Sequence, residues 1–494
     1  MALRAYVIAF VLVLLALAGS FLYLGGGAPA HTSTSSSASC QPPLGGRSVL
    51  KSQLQSVTFG AVTEFALPSP ARSPNAITVA PDGSVWFGEQ AIPGVAHLFP
   101  NGTLVEYAWP FHYTYASNND CSYDDSIWGI ALWNASVWAT DTNGNQLVGL
   151  DPATGLVTTV KLAGNDSFPI SLTVGPDNSL WVSELSSSQI GRIYTNGTLV
   201  EYTLRQGGKT ESPTWITFAN STLGYYVSVG GVLGGAGPAV YAFDPQHFTP
   251  YQVAKNATII EPDSIAVADG GLWIDQHSPS IIAFYNLKTG RLIPYPTSTI
   301  NYTSTTLPYF IGANDSHIWF NEHYANRMGV IDYQKGTLTE YSEADPPVTS
   351  GSKIDNTLTF ALSESRAWFT EWTGNSIGNV NAGYQPSFSA PSVSNSTLTI
   401  PRGGEANITV GVGGSSSAPL STEFSDSETF GAIPKNISLT SSVNSITLTG
   451  GEAQFIVTVR VAESLQPGNY MLVITVTDGL IFRSSYVYLT VPAS

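Results

Sequence analysis

The stretch "ISLTVGPDNSLWVSELSSSQIGRIYTNGTLVEYTL", residues 170–204, decides the fold. Turn signals divide it into four short runs of apolar and β-branched residues. "ISLTVG" reads as a first strand, "PDN" as a turn and "SLWVSE" as a second strand. "QIGRIY" is the third strand. "TNGT" is a hairpin turn whose Asn-Gly pair suits two positive-φ positions, and "LVEYTL" is the fourth strand. Four antiparallel strands make one twisted sheet.

The unit recurs. "PDGSVWFGEQ" stands at residues 81–90, "DSHIWFNEHY" at 315–324 and "SESRAWFTEW" at 363–372. Aligning on the aromatic residue gives seven frames, centred on Trp86, Trp138, Trp181, Tyr226, Trp273, Trp319 and Trp368, spaced by 43 to 52 residues. A period of that size built from strands and turns predicts propeller blades. The last frame stops after three strands at "IGNVNAG", residues 377–383. "AVTEFALP", residues 61–68, matches the fourth-strand pattern "LVEYAWP" of residues 104–110. The N-terminal strand is therefore expected to complete blade seven and close the ring.

Beyond Gly383 the repeat vanishes and strand-like alternation continues to the end of the sequence. The expected fold is all-β, with four segments. Residues 1–30 are a signal-anchor, 31–56 a Ser/Thr-rich tether, 57–384 a seven-bladed propeller and 385–494 an immunoglobulin-like β-sandwich that reads as a spacer or adhesion module. The anchor reading rests on "AYVIAFVLVLLALAGSFLYL", residues 5–24, an uncharged run long enough to span a bilayer as a helix. Arg4 before it places the bulk of the chain outside; "APA" at residues 28–30 leaves cleavage and secretion open.

An outside location predicts further features. Eleven N-x-S/T sequons, at Asn101, Asn134, Asn165, Asn196, Asn220, Asn256, Asn301, Asn314, Asn395, Asn407 and Asn436, are candidate glycosylation sites. The two cysteines, Cys40 and Cys121, are expected to form a disulfide. The net charge of −16, with only 19 Lys and Arg, excludes nucleic acid as a partner.

The units resemble those of the virginiamycin B lyase (streptogramin lyase) family, which are seven-bladed propellers. The likeness rests on "ITVAPDGSVWFGEQ", on the stretch from "LTVG" to "VEYTL" within residues 172–204, and on "WFTEWTGNSIGNV"; it covers residues 61–383. The resemblance implies elimination at an ester of a cyclic depsipeptide, using a His base, a second His and Mg²⁺. Those histidines stand in P-H-x-I openings of inner strands. The matching positions here are Asn75, Trp128, Ile170, Thr214, Asp263, Tyr309 and Asn356, and none is histidine. A phenol with a pKa near 10 and an amide do not replace an imidazole at neutral pH. No elimination of streptogramin B is expected on that basis.

Two sets of residues remain as candidates. A carboxylate or its amide follows the frame aromatic by three residues at Glu89, Asp141, Glu184, Gln276, Glu322 and Glu371. A residue wanted in nearly every blade serves the fold; the alternative is a carboxylate ring for a divalent cation such as Mg²⁺ or Ca²⁺. The second set breaks the repeat. His277 and His323 follow their Trp by four residues in blades five and six, Asp263 and Tyr309 open the inner strands of those blades, and Trp372 holds the His position in blade seven. With Glu322 they form the expected ligand site, His277 and His323 being its metal-ligating pair. The aromatic-rich connection at residues 110–126 is a candidate platform over the same face. The leading expectation is binding of a glycan or peptide at the cell exterior. The alternatives are a metal-dependent lyase on the same face and a structural role in the cell envelope.

Overall fold

In the computed structural model, the described residues are 50–493, apart from 69–72, 91–93, 109–113, 116–120, 123–126, 165, 231–234, 256, 278, 299–305, 315–316, 344–356, 373 and 428–435. All regular elements among them are strands. Residues 1–49, which include the apolar run and Cys40, lie outside the described set. The anchor, the tether up to residue 49 and the Cys40–Cys121 pairing therefore fall beyond it. No helix among the described residues is long and apolar enough to cross a membrane.

Seven antiparallel sheets follow one another along the chain. Blade three is the unit read from the sequence: Pro169–Val174, Leu180–Glu184, Gln189–Ile193 and Leu199–Thr203, paired in that order. The turn at residues 195–198 differs from the expected type. Gly197 alone has positive φ, at +84°, while the Asn196 side-chain oxygen accepts the Thr198 N–H at 2.9 Å. This is a helical-type turn ending in a left-handed Gly, the alternative hairpin solution for this sequence.

Blade seven closes as expected. Val62–Ala66 pairs antiparallel with Ser376–Asn381, and Ser56–Phe59 adds a fifth strand outside it. Leu50–Gln53, placed in the tether by sequence, instead pairs with Thr103–Ala108 as a fifth strand of blade one. It lies outside the repeat, so periodicity could not find it. Residues 50–66 thus clip both sides of the ring seam.

The frame Trp packs between blades. Trp181, fully buried, meets Phe218 and Phe243 of blade four at ring distances of 5.6 and 5.5 Å. Such a ring removes ~150–250 Å² from water, about 4–6 kcal/mol at ~25 cal/mol per Å². Each pair of neighbouring blades shares one apolar cluster of this kind.

The C-terminal residues form two facing sheets. One holds Ser392–Val393, Glu405–Ser415, Thr449–Val461 and Ile437–Ser441; the other holds Leu420–Asp426, Gly468–Thr477 and Ile481–Val491, with Thr397–Thr399 parallel to the last. This division of strands is that of an immunoglobulin-type sandwich. A spacer would hang from a linker, whereas Ile481–Val491 pairs with Thr337–Ser342, the outer strand of blade six, from Thr337↔Ser485 to Tyr341↔Ile481. One sheet therefore runs from the propeller axis through the sandwich. Arg327 of blade six stacks 3.5 Å from the Phe482 ring centroid, and Ser425 Oγ donates to the Thr297 carbonyl at 2.7 Å.

Candidate functional site

In blades one, three, four, six and seven the inner strand opens with a bulge opposite the end of its second strand. Pro74 faces Glu89, Pro308 faces Glu322 and Thr357 faces Glu371 across the ladder. This register corrects the sequence alignment in blade seven: Leu358, two residues past Asn356, is the counterpart of Tyr309. Asn356 itself lies outside the described residues.

With that correction, six of the seven strand-opening residues line one pocket on the propeller axis: Trp128, Ile170, Thr214, Asp263, Tyr309 and Leu358. The seventh, Asn75, is buried and donates to the Ile127 carbonyl at 3.1 Å. The wall is apolar on blades two to four and seven, through Trp128, Phe168, Ile170, Leu185, Trp215, Val229 and Leu358. It is polar on blades five and six, where Asp263, His277, Tyr309 and His323 converge.

The convergence is tight. The His277 and His323 rings lie 4.9 Å apart, nearly perpendicular at 88°. Tyr309 sits 5.8 Å from His277 and stacks on His323 at 5.7 Å. His277 Nδ1 is 3.1 Å from the Pro308 carbonyl, so it must carry the proton. Nε2 is then the lone-pair nitrogen. Asp263 Oδ2 lies 3.5 Å from the same Nδ1. Neither ring nitrogen of His323 has a hydrogen-bond partner, although both are buried.

Burial sets the charge states. It pushes His277 down to about 4 and His323 well below the usual imidazole range, the latter helped by His277. Both are neutral at pH 7. Burial and the neighbouring Asp275 push Asp263 well above the carboxylate range, and burial pushes Asp275 up to about 8. Burial also raises the Tyr309 phenol, reinforced by Asp263 and Asp275. The polar wall thus holds two neutral imidazoles, a phenol and a carboxyl that resists ionisation.

Two expected members do not line the pocket. Strand alternation turns Glu322 away from His323 to sit near Glu340 and Arg327, where burial and Glu340 raise its pKa well above the usual range. Trp372 donates its indole N–H to Gln90 Oε1 of blade one at 2.8 Å. Three members of the repeated set accept hydrogen bonds from nearby segments. Asp141 accepts the Gly144 N–H and the Gln146 amide, Glu184 accepts the Ser187 hydroxyl, and Gln276 accepts the Ile260 N–H. None lines the pocket. Of the aromatic-rich connection, only Thr114–Tyr115 and Cys121–Ser122 are described, and they pair with each other. Among the described sequons, Asn101, Asn196, Asn220 and Asn395 are exposed and shape turns by accepting a backbone N–H two residues on.

The donor set does not fit Mg²⁺, which takes several oxygen ligands in near-octahedral array. The pocket offers one carboxyl, Asp263, which burial holds toward its neutral form. Among the described residues, no group of three or more His, Cys, Asp or Glu side chains is arranged to hold a metal ion.

Residues 53–206 match the Virginiamycin B lyase family. The propeller is virginiamycin B lyase-like. A curated virginiamycin B lyase from Nocardia farcinica is 28% identical over 137 residues, which are 27% of this chain. The match spans 43% of that relative's length. The solved virginiamycin B lyase of Staphylococcus aureus aligns with 65% of this chain and 98% of its own, at 19% identity and a TM-score of 0.53. A streptogramin B lyase structure aligns with 65% of this chain and 97% of its own, at 22% identity and a TM-score of 0.52. A catalytically inactive histidine-to-alanine variant of the S. aureus enzyme with quinupristin aligns at 20% identity and a TM-score of 0.53, over 65% of this chain and 98% of its own. At these identities the likeness establishes the fold. In the virginiamycin B lyase-like propeller of this chain, the two pocket histidines come from just past second-strand ends.

Sequence reasoning missed the apolar wall. The signal was present, since the opening positions themselves read Trp128, Ile170 and Leu358 once blade seven is aligned correctly.

Proposed function

We propose that the chain is a lyase acting on an apolar, ester-bearing molecule held in the axial pocket. The observation that carries this reading is the pair of neutral, touching imidazoles facing the apolar wall of one pocket. His277 Nε2 removes a proton from the carbon next to a carbonyl. The electron pair of that C–H bond becomes a C=C bond as the β-carbon–oxygen bond breaks, and the ester oxygen leaves as a carboxylate. His323, whose ring N–H lacks a protein partner, donates to the carbonyl oxygen as it gains charge. Pro308 fixes the tautomer of His277. The expectation that streptogramin B would survive assumed imidazoles only at strand openings; here they reach the same pocket from the adjacent strand. The apolar wall supports an ester substrate over a glycan, whose hydroxyls need polar partners.

The test incubates the purified chain with quinupristin and follows the product by mass spectrometry. Elimination opens the ring without changing its mass, whereas hydrolysis adds one water. We expect the isomeric product, and a loss of roughly 10²–10⁴ in rate for His277→Gln. A product heavier by water, an unchanged drug, or an undiminished His277→Gln rate would overturn the reading.

The apolar N-terminal run and the sequons support export, with the chain held at the outer face of a membrane. Fractionation of cells bearing the full chain decides this; recovery in the cytosol would refute it.

A further inference from the structure

The axial channel does not end at the pocket. Farther along the inner strands lies a second chamber, lined by Ile216, Val267, Ile311, Ala313, Phe360 and Leu362 among others. Trp215 and Phe310 line both spaces. Their rings meet edge-to-face at 4.4 Å, although they belong to blades four and six, so the contact crosses the axis over blade five. Phe360 of blade seven backs Phe310 at 5.2 Å, again edge-to-face.

The sequence singles out these two residues. Trp215 and Phe310 each stand one position after a strand opening. The other five blades carry Ala76, Gly129, Ser171, Ser264 and Thr359 there. Small residues are expected where seven strands crowd an axis. Gly129 shows the pressure, since a Cβ there would come within 2.9 Å of the Leu172 nitrogen. Two large rings at this level fill the space that five small residues leave.

We infer that Trp215 and Phe310 form a plug that sets how deep the apolar group of a ligand can enter, and so determines chain-length specificity. The inference takes its ligand class from the proposed lyase reading. A straight alkyl chain entering past Trp128 and Ile170 meets the indole and stops. With the indole removed, the same chain passes into the second chamber, which Ile216, Val267, Ile311, Phe360 and Leu362 help to line. Each methylene that is buried strengthens binding about fourfold, and each one held outside adds nothing.

The experiment measures binding, not turnover, so that its failure is separate from failure of the lyase reading. Methyl esters of straight-chain acids, from hexanoate to tetradecanoate, are titrated calorimetrically into the full chain, the Trp215→Ala variant and the Phe310→Leu variant. The two variants open the plug from different blades, so misfolding of one leaves the other as the test. In the unaltered chain, affinity should rise with length and then level off. In either folded variant the rise should continue for several more methylenes, gaining more than tenfold for the longest ester. The same cut-off length in the chain and its folded variants, or no binding of any ester to the chain, would overturn the inference. An intact shift in cut-off without quinupristin turnover would sink only the lyase reading.

Discussion

Replacing His277 by Gln should flatten the acid sensitivity of the fold. The folded imidazole is held down to about 4, against an ordinary 6.5, chiefly by burial. That lowering corresponds to about 3 kcal/mol in full. In the unfolded chain His277 takes up a proton near pH 6.5, while the folded chain refuses it until about 4. The contribution is therefore fully present above 6.5 and lost as pH falls through that window. Between pH 7 and pH 5 it amounts to about 2 kcal/mol. The carboxyls work in the opposite sense: Asp275, pushed up to about 8, keeps its proton in the fold and stabilises it as pH falls. A bare pH profile mixes the two, so the variant is needed. Gln can still donate an amide N–H to the Pro308 carbonyl but does not titrate. Urea unfolding of both proteins at pH 7 and pH 5 gives the four free energies. The unaltered chain should lose about 2 kcal/mol more than His277→Gln on acidification. Equal losses would mean that the imidazole is not held neutral by burial, and the assignment of Nε2 as a base would lose its electrostatic support.

Two further outcomes test the packing. A Cβ at Gly378 would lie within 2.2 and 2.4 Å of Phe369 ring carbons, so Gly378→Ala should lower stability by about 1–3 kcal/mol in thermal melts, while Gly237→Ala, which meets nothing within 4 Å, should be near neutral. Arg327→Ala removes the guanidinium that faces Phe482, Glu322 and Glu423, and should cost about 3–5 kcal/mol by urea unfolding; a change under 1 kcal/mol would show that the guanidinium is not needed at that junction.

How far the sequence could be read depended on whether a feature was periodic. The blades and the closing strand Val62–Ala66 were legible because Trp, turn and alternation repeat at a fixed spacing. Leu50–Gln53 was not, since it stands outside the period and its residues are those of any short polar strand. A two-residue offset misplaced the opening of blade seven, because the bulge between Thr357 and Phe360 leaves no trace in a pattern of apolar residues. His277 and His323 were legible as breaks in symmetry, and the ring brings them together. Trp372 was chosen by the same rule and Glu322 as the neighbour of His323, and both diverge. Alternation turns Glu322 away from the pocket, and a Gln90 acceptor on blade one claims Trp372. The docking of the sandwich on blade six was invisible, because an edge strand carries no local mark of what will pair with it.

The shared sheet of blade six and the sandwich sets a timetable for the nascent chain. Ser342, on the outer strand of blade six, hydrogen-bonds to Gly479, 137 residues farther along. At ~5–20 residues per second, the ribosome needs roughly 7–30 s to deliver the covering strand. Throughout that interval the backbone of Thr337–Ser342 is an open edge beside blade seven, which can finish early because its closing strand, Val62–Ala66, was made first. The strand Ile481–Val491, made long after blade six, thus blunts an open edge of the half-made ring. Chains cut short before Ile481 are expected to meet one another through that edge, and expression of shortened forms should yield aggregates in proportion to how long the edge waits.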